Sequence, residues 1–373
     1  VTSCASVAPT SGGEKGIFMK LVTVEDLKVG DILAKDVFLE DFTVLLSKGT
    51  VIKEEYINKL RDLSIVTVYI EDNKEQASRI SLQEITILKD DVEVKIKNKV
   101  KEILELHVYQ QTEGLQEIAK TAQNIISDIL KEDEVVERVY DIKERSADIY
   151  EHSLTICTIA TLVALKLEMS EKDVYDISVS SLLHDLGLRY LVVRYENQDI
   201  NLLPNKDQEE YKKHPIYGYT AVKGEDWISD NAKDIILNHH EHKDGSGYPL
   251  GTDIVSRQCQ IVGVCDEFDE WICGIGKVRV RVHEAINCIR NYSGIWYDEE
   301  IVRTYLQLIA VYPVGSKVKT NEGELAIVMR QNSHFPERPV LRVIEDKFGQ
   351  PVTKEKIIDL VKTTSVVIQE VVK

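Results

Sequence analysis

The distribution of histidine constrains this chain more than any other feature of its sequence. Only nine histidines occur in 373 residues, and six of them lie between positions 152 and 242. The densest run is His239-His240-Glu241-His242-Lys243-Asp244-Gly245-Ser246-Gly247-Tyr248-Pro249, and a second pair, His184-Asp185, lies upstream. Imidazole and carboxylate groups together are typical ligands of iron, manganese or zinc. The pattern therefore predicts a buried metal site.

The hydrophobic periodicity divides the chain into three parts. Residues 20–72 mix short strand-like runs with one helical stretch, Lys53 to Leu63, and predict a small α+β accessory module. Residues 95–312 carry helical spacing almost throughout and predict an all-helical bundle, in which metal sites form between facing helices. Residues 313–373 change to a period of two and predict a short β-rich extension. The predicted fold class is therefore mainly α.

Two further segments complete the predicted domain map. Residues 73–94 are largely polar at their start and are predicted to be a linker. Residues 1–18 are rich in Ser, Thr and Gly and have neither the basic start nor the apolar core of a signal peptide. We expect them to be an appended or disordered leader ahead of a natural start at Met19.

Composition argues against several classes of protein. A net charge of −17 argues against a surface that coats nucleic acid, since such a surface needs a basic stripe. No apolar run approaches the length of a bilayer span. The six cysteines have no CxxC spacing, which is typical of reduced, buried thiols. We expect a cytoplasmic protein that binds neither DNA, RNA nor a membrane.

Seven side chains on successive predicted helices are candidate metal ligands: His152, His184, Asp185, His214, His239, His240 and Asp266. Asp185 has two oxygens and can bridge two ions, and ions about 3.5–4 Å apart promote phosphoryl displacement. Each residue also has a purely structural interpretation; His214-Pro215, for example, can simply begin a helix. Together, however, they would leave several buried polar groups without partners, which favours a metal site.

The order of these motifs resembles the HD-GYP subgroup of the HD phosphohydrolases. The matching motifs, between about 140 and 312, are His152-Ser153, His184-Asp185-Leu186-Gly187, His214-Pro215, His239-His240-Glu241-x-x-Asp244-Gly245-x-Gly247-Tyr248-Pro249 and Asp266-x-x-Asp269. The resemblance implies a metal-dependent phosphodiesterase that hydrolyses cyclic di-GMP to pGpG, GMP or both through a metal-bridging hydroxide. It also implies two or three divalent ions, most commonly iron or manganese.

The resemblance assigns a role to each candidate ligand. The first ion would be bound by His152, His184, Asp185 and Asp266. Asp185 would bridge to the second ion, which His214, His239 and His240 would complete. Asp148 occupies the position at which some members have a glutamate that recruits a third ion. His184, Asp185 and Arg189 are the predicted catalytic residues.

Two departures from the family pattern concern the substrate. Leu188 stands where the family usually has a lysine near the scissile phosphate, and Arg189 follows it. After Asp269 the family normally has an Arg-Pro-Tyr-Arg-like run, which this chain lacks. The residues predicted to contact substrate instead are Arg189, Gly247, Tyr248, Trp271, Lys277 and Arg279. The departures leave two alternatives open, namely a catalytically weak sensor of cyclic dinucleotides and a phosphohydrolase for another cyclic dinucleotide.

Predictions about protein partners are less specific. An apolar stripe from Val100 to Leu130 predicts either packing within its own bundle or the seam of a homodimer. The resemblance also implies association with cyclic di-GMP synthases through the Gly-Tyr-Pro turn.

Overall fold

The structure is a computed structural model that describes residues 19–38, 44–63, 65, 67–71, 82–110, 113–132 and 134–372. They belong to two compact units, which divide between Arg79 and Ile80. The predicted leader, 1–18, and the first part of the predicted linker, 73–81, lie outside the described residues. Among the described helices, none is both long and apolar enough to cross a bilayer.

The N-terminal unit is the predicted α+β module. Its elements are β1 (Met19–Thr23), β2 (Val37–Phe38), β3 (Val44–Leu46), α1 (Glu54–Asp62) and β4 (Thr67–Glu71). The first and last strands pair antiparallel, as do β2 and β3. Helix α1 buries Ile57 and Leu60 against Leu33 and Ile52, which form the core of this unit.

The second unit consists mainly of helices. They are α2 (Asp90–Gln110), α3 (Glu117–Leu130), α4 (Ile149–Lys166), α5 (Glu171–Leu183), α6 (Asn205–Tyr211), α7 (His214–Val222), α8 (Asp230–Asn238), α9 (Arg257–Cys273), α10 (Val282–Tyr292) and α11 (Glu299–Leu308). Short 3₁₀ segments lie between them at Glu113–Gln116, Val135–Glu137, His184–Tyr190 and Ile200–Leu202. The prediction of a mainly helical protein is confirmed.

Helix α4 lies at the centre of this bundle. Nearly all of its side chains between Tyr150 and Ala164 are buried, and it packs against α5 and α9. A helix that is apolar on all sides belongs in a core. The few polar side chains in its first turns are therefore held away from water, and His152 is one of them.

Several element boundaries differ from the sequence prediction. Helix α2 begins at Asp90, inside the predicted linker 73–94, and acids in its first turn favour a helix start there. Residues 205–222 form two helices, α6 and α7, with Pro215 in the first turn of α7. Helix α10 was not predicted. The stripe from Val100 to Leu130 contributes much of the bundle core, while the homodimer stays a prediction.

The C-terminal part is a five-stranded antiparallel sheet. Its strands are β5 (Lys317–Thr320), β6 (Leu325–Arg330), β7 (Val340–Glu345), β8 (Pro351–Asp359) and β9 (Ile368–Val372), in the order β8-β7-β6-β5-β9. Strand β8 was not predicted, because it lies at the sheet edge and its charged, exposed side chains do not alternate. The sheet belongs to the same compact unit as the helices.

Asp141 connects the sheet to the bundle. Its buried carboxylate accepts hydrogen bonds from Ile85 N at 2.9 Å, Val314 N at 2.7 Å and Gln331 Nε2 at 2.7 Å. Burial raises the pKa of this carboxyl to about 6. One side chain thus joins three segments that are far apart in sequence.

Replacing Asp141 by alanine should destabilise the second unit. Three buried donors would lose their acceptor, and we expect the free energy of unfolding to fall by about 3 kcal/mol. Urea unfolding followed by circular dichroism measures the change. Glu322→Ala, at an exposed turn, is the control, and equal stability of the two variants would contradict this role of Asp141.

Candidate metal centre

Five helical elements bring the seven predicted ligands together. His152 lies in the first turn of α4, whose N-cap, Asp148, accepts hydrogen bonds from Tyr150 N and Glu151 N. The other ligands lie where elements begin or end, or within α9: His184 and Asp185 after α5, His214 at the start of α7, His239 and His240 after α8, and Asp266. All seven are buried, with exposed fractions of 6% or less.

The first group of ligand atoms contains His152, His184, Asp185 and Asp266, all within 4.8 Å of one another. His152 Nε2 lies 3.0 Å from Asp266 Oδ1 and 3.3 Å from Asp185 Oδ2. His184 Nε2 lies 3.4 Å and 3.5 Å from the same two oxygens. Two imidazoles and two carboxylates therefore surround one point, as a divalent cation requires.

The second group shares Asp185 with the first and adds His214, His239 and His240. The other oxygen of Asp185, Oδ1, lies 3.3 Å from His214 Nε2 and 3.9 Å from His239 Nε2. The two imidazole Nε2 atoms are themselves 3.3 Å apart. Asp185 thus presents one oxygen to each group, which is the arrangement of a bridging carboxylate.

Local hydrogen bonds determine which ring nitrogen carries the proton in the neutral form of three of these histidines. The Nδ1 atoms of His184, His214 and His239 lie 2.8–2.9 Å from the backbone carbonyls three residues earlier, Ser181 O, Tyr211 O and Ile236 O. A carbonyl only accepts, so Nδ1 carries the proton and Nε2 keeps a free lone pair in the neutral ring. Burial and neighbouring charges lower the pKa of His239 to about 3, which keeps that ring neutral.

Several atoms at the centre lack partners. Among the described residues, nothing forms a hydrogen bond with His152 Nε2, His184 Nε2 or either carboxylate oxygen of Asp266. A buried polar atom without a partner costs free energy, and four such atoms converge here. Divalent cations would satisfy all of them at once, so the residues present fit a metal centre.

A carboxylate orients His152 from behind. Asp269 Oδ2 lies 2.7 Å from His152 Nδ1, and the same oxygen accepts a hydrogen bond from the buried guanidinium of Arg145. This contact places the His152 Nδ1 proton and directs Nε2 towards the ligand group. Asp269 belongs to the Asp266-x-x-Asp269 motif, but the sequence predicted no role for it. Arg145 was not predicted either, because it is distant in sequence.

Gly187 allows two ligand segments to approach closely. A Cβ atom at this position would overlap the backbone carbonyl of His214. The 3₁₀ segment that contains His184 and Asp185 can therefore pack directly on the start of α7, which holds His214. The glycine of the His184-Asp185-Leu186-Gly187 motif thus has a packing role.

The Gly247-Tyr248-Pro249 turn supports His240. The Tyr248 ring stacks on the His240 ring with centroids 4.5 Å apart, and a Cβ on Gly247 would overlap the backbone of His240 and Glu241. The buried Glu241 carboxylate accepts hydrogen bonds from the backbone amides of Leu250, Gly251 and Thr252 at 2.5–3.0 Å. Gly247 and Tyr248 therefore lie beside His240, and their predicted contact with substrate stays a prediction.

Two predicted site residues are engaged elsewhere. Asp148 is in none of the ligand groups formed by the described residues; its carboxylate caps α4 and lies 3.1 Å from Lys97 Nζ. The expectation of a third ion at Asp148 therefore has no support from the geometry. Arg189 Nη2 lies 2.8 Å from Glu105, so its guanidinium already has a carboxylate partner.

The remaining predicted substrate contacts lie in the segment that departs from the family pattern. Lys277 Nζ is 2.5 Å from Glu267 and 2.8 Å from Glu270. Trp271 Nε1 donates a hydrogen bond to Glu267 at 3.0 Å, and Arg279 Nη1 donates one to a backbone carbonyl at 3.0 Å. The polar groups of all three are occupied by protein partners.

Comparison with known families agrees with this geometry. The family model described as HD domain matches residues 100–301, more than half of the chain. The chain belongs to the HD domain family. A second family model, a KOW domain associated with HD domains, matches residues 317–373, which form the C-terminal sheet.

Relatives of the HD domain include enzymes with curated names. The cyclic di-GMP phosphodiesterase PA4108 of Pseudomonas aeruginosa is 26% identical over 57% of this chain and 51% of the relative. A cyclic di-GMP phosphodiesterase of Thermotoga maritima is 29% identical over 47% of this chain and 49% of the relative. The chain thus spans about half the length of these relatives. The predicted relationship to HD-GYP phosphodiesterases is confirmed.

A solved structure shares the fold. The HDG"Y"P protein Bd1817 of Bdellovibrio bacteriovorus superposes with a TM-score of 0.52 at 20% identity, covering 77% of this chain and 98% of that one. At this identity the likeness concerns the fold.

Gly187→Ala should weaken metal binding. The added methyl group would push the segment of His184 and Asp185 away from His214, and we expect the metal dissociation constant to rise at least about tenfold. Metal titration of the purified apo-protein measures it. Gly224→Ala is the matched control, because no described atom lies within 4 Å of a Cβ there. Equal affinities in the two variants would contradict the packing role.

Asp269→Asn should also lower metal affinity. His152 would lose the carboxylate that orients it, and such changes cost about 10–100-fold in affinity. The same titration provides the measurement, and a thermal unfolding curve verifies that the variant folds. Asp253→Asn, at an exposed position, is the control. An unchanged dissociation constant for Asp269→Asn would show that His152 is oriented by other contacts.

Proposed function

We propose that this chain is a metal-dependent phosphodiesterase that hydrolyses cyclic di-GMP to pGpG, GMP or both. The observation that carries the proposal is the pair of buried ligand groups that share Asp185. Support also comes from the relatives, which are named as cyclic di-GMP phosphodiesterases. Iron and manganese are the ions we expect, in a cytoplasmic protein.

The assignment of ligands follows the two groups. His152, His184 and Asp266 would hold one divalent cation, and His214, His239 and His240 the other, with Asp185 shared. When bound, such a pair polarises a phosphate oxygen and lowers the pKa of a coordinated water towards about 7. The His239 ring, whose pKa is lowered to about 3, needs no proton loss at Nε2 before it binds.

The surrounding side chains prepare the site for phosphoester chemistry. Asp269 and Arg145 hold His152 in one orientation, so little reorganisation accompanies binding of the reacting phosphate. Burial of the ligands lowers the local polarity and strengthens their interaction with phosphate charge. For Arg189, Lys277 or Arg279 to contact the substrate phosphates, each must exchange a protein partner for the ligand.

Removal of two candidate ligands tests the proposal. Anaerobically purified protein loaded with Fe²⁺ or Mn²⁺ should convert cyclic di-GMP to pGpG, as followed by chromatography. His184→Ala and Asp185→Ala should reduce turnover to background, because each loses a ligand of the proposed centre. His334→Asn removes an exposed histidine outside the ligand groups and should retain activity.

Metal analysis of the same samples makes the result decisive. A wild-type protein that carries metal but releases no product from cyclic di-GMP would refute the proposed reaction. A protein that binds no transition metal when supplied with it would refute the centre itself.

A second candidate function is a cyclic-dinucleotide sensor with weak catalysis. Leu188, at the position where the family usually has a lysine, is buried in an apolar cluster with Tyr211, Cys273 and Ile275. No cation is therefore presented from that position. Calorimetric binding of cyclic di-GMP without product over hours would favour the sensor, and a panel of cyclic dinucleotides would reveal another substrate.

A further inference from the structure

Glu270 lies at the edge of the proposed centre, although the predicted ligand set does not include it. It follows Asp266 by one turn of α9 and is only 4% exposed. One of its oxygens lies with ligand atoms of His240 and Asp266 in a group whose members are all within 4.8 Å of one another. This group differs from the two that share Asp185.

The second carboxylate oxygen of Asp266, Oδ2, lies on the side of the group formed by His240, Asp266 and Glu270. Oδ1 faces His152 and His184, whereas Oδ2 lies 3.5 Å from His240 Nδ1. Within the described part of the chain, Oδ2 has no hydrogen-bond partner, and Asp266 is 1% exposed. An unpartnered carboxylate oxygen is thus buried on the side of Glu270.

The cations of this region contact other carboxyl groups. Arg145 pairs with Asp269, and the single ammonium of Lys277 is shared by Glu267 and Glu270. Among the described residues, neither cation forms an ion pair with Asp266. A divalent cation bound between Asp266 and Glu270 would supply the partner that Asp266 Oδ2 lacks.

We propose that Asp266 and Glu270, beside His240, form an additional divalent-cation position adjacent to the two-ion centre. This inference rests on the proposed metal centre and extends it. Asp266 would connect this position to the first ligand group, as Asp185 connects the first group to the second. A position built mainly from carboxylate oxygens suits a hard cation such as Mn²⁺.

The partners of Glu270 fit the role of a ligand. Lys277 Nζ lies 2.8 Å from Oε2, and Tyr211 donates a hydrogen bond to Oε1 at 3.3 Å. Carboxylates that bind metals are commonly held by such outer contacts. Asp148 cannot take this role in the observed arrangement, since it caps α4 and pairs with Lys97. The additional position therefore lies on the side of α9.

Counting bound Mn²⁺ tests the inference independently of catalysis. Full-length protein is saturated with Mn²⁺, freed of excess metal and analysed by plasma mass spectrometry, with Mn²⁺ titration followed by electron paramagnetic resonance. Wild type should bind one more ion per chain than Glu270→Gln. Glu267→Gln and Asp148→Asn are the matched controls and should both bind as many ions as wild type.

The remaining outcomes are also decisive. Equal ion counts in wild type and Glu270→Gln would overturn the inference, as would loss of an ion in Asp148→Asn alone. Glu270→Asp, which keeps the carboxylate, guards against misfolding; it should bind the additional ion more weakly, whereas Glu270→Gln should not bind it. If hydrolysis persists while no additional ion is found, this inference fails and the proposed function stands.

Discussion

The candidate centre depends on a simple hydrogen-bonding constraint. His184, His214 and His239 each direct Nδ1 at a backbone carbonyl three residues earlier, so each neutral ring offers only an unprotonated Nε2 to the interior. These lone pairs face the carboxylate oxygens of Asp185 and Asp266 in a buried space. Cations bound there would give the unpartnered atoms of the centre their partners.

The scaffold buries these groups and restrains two of their rings. Helix α4 is buried on nearly all sides, and His152 lies in its first turns. The other candidate ligands lie just after α5 and α8, at the start of α7 and within α9. Asp269 and Arg145 restrain His152, and Tyr248 restrains His240 by stacking. The orientation of the His152 and His240 rings is thus set by neighbouring side chains that are not themselves candidate ligands.

Residues 270–279 include lysine and arginine side chains, which the seven candidate ligands do not. Cations in this stretch are paired with buried carboxylates or backbone oxygens, so the charge balance there is set within the protein. In the proposed phosphodiesterase this region would influence both the number of ions held and the contacts offered to a substrate. The substrate contacts predicted for Trp271, Lys277 and Arg279 stay predictions.

The sequence alone determined the class of the fold and identified the seven candidate ligands. Helical periodicity identified the bundle, the change of period identified the C-terminal sheet, and the motif from His239 to Pro249 is long enough to be specific. Short motifs carry this information because each ligand lies within or beside one helix. Even Gly187 was part of a motif, although its packing against His214 was not foreseen.

Other features were decided only by tertiary structure. Arg145 contacts Asp269 from 124 positions away, and Asp141 accepts a hydrogen bond from Gln331, 190 positions away. No local pattern encodes such pairs, because they arise when distant elements pack. The ion pair of Asp148 with Lys97 and the closeness of Glu270 to His240 also result from packing, and no local sequence pattern predicts them. Sequence specified which groups could bind metal, and packing decided which of them share a point in space.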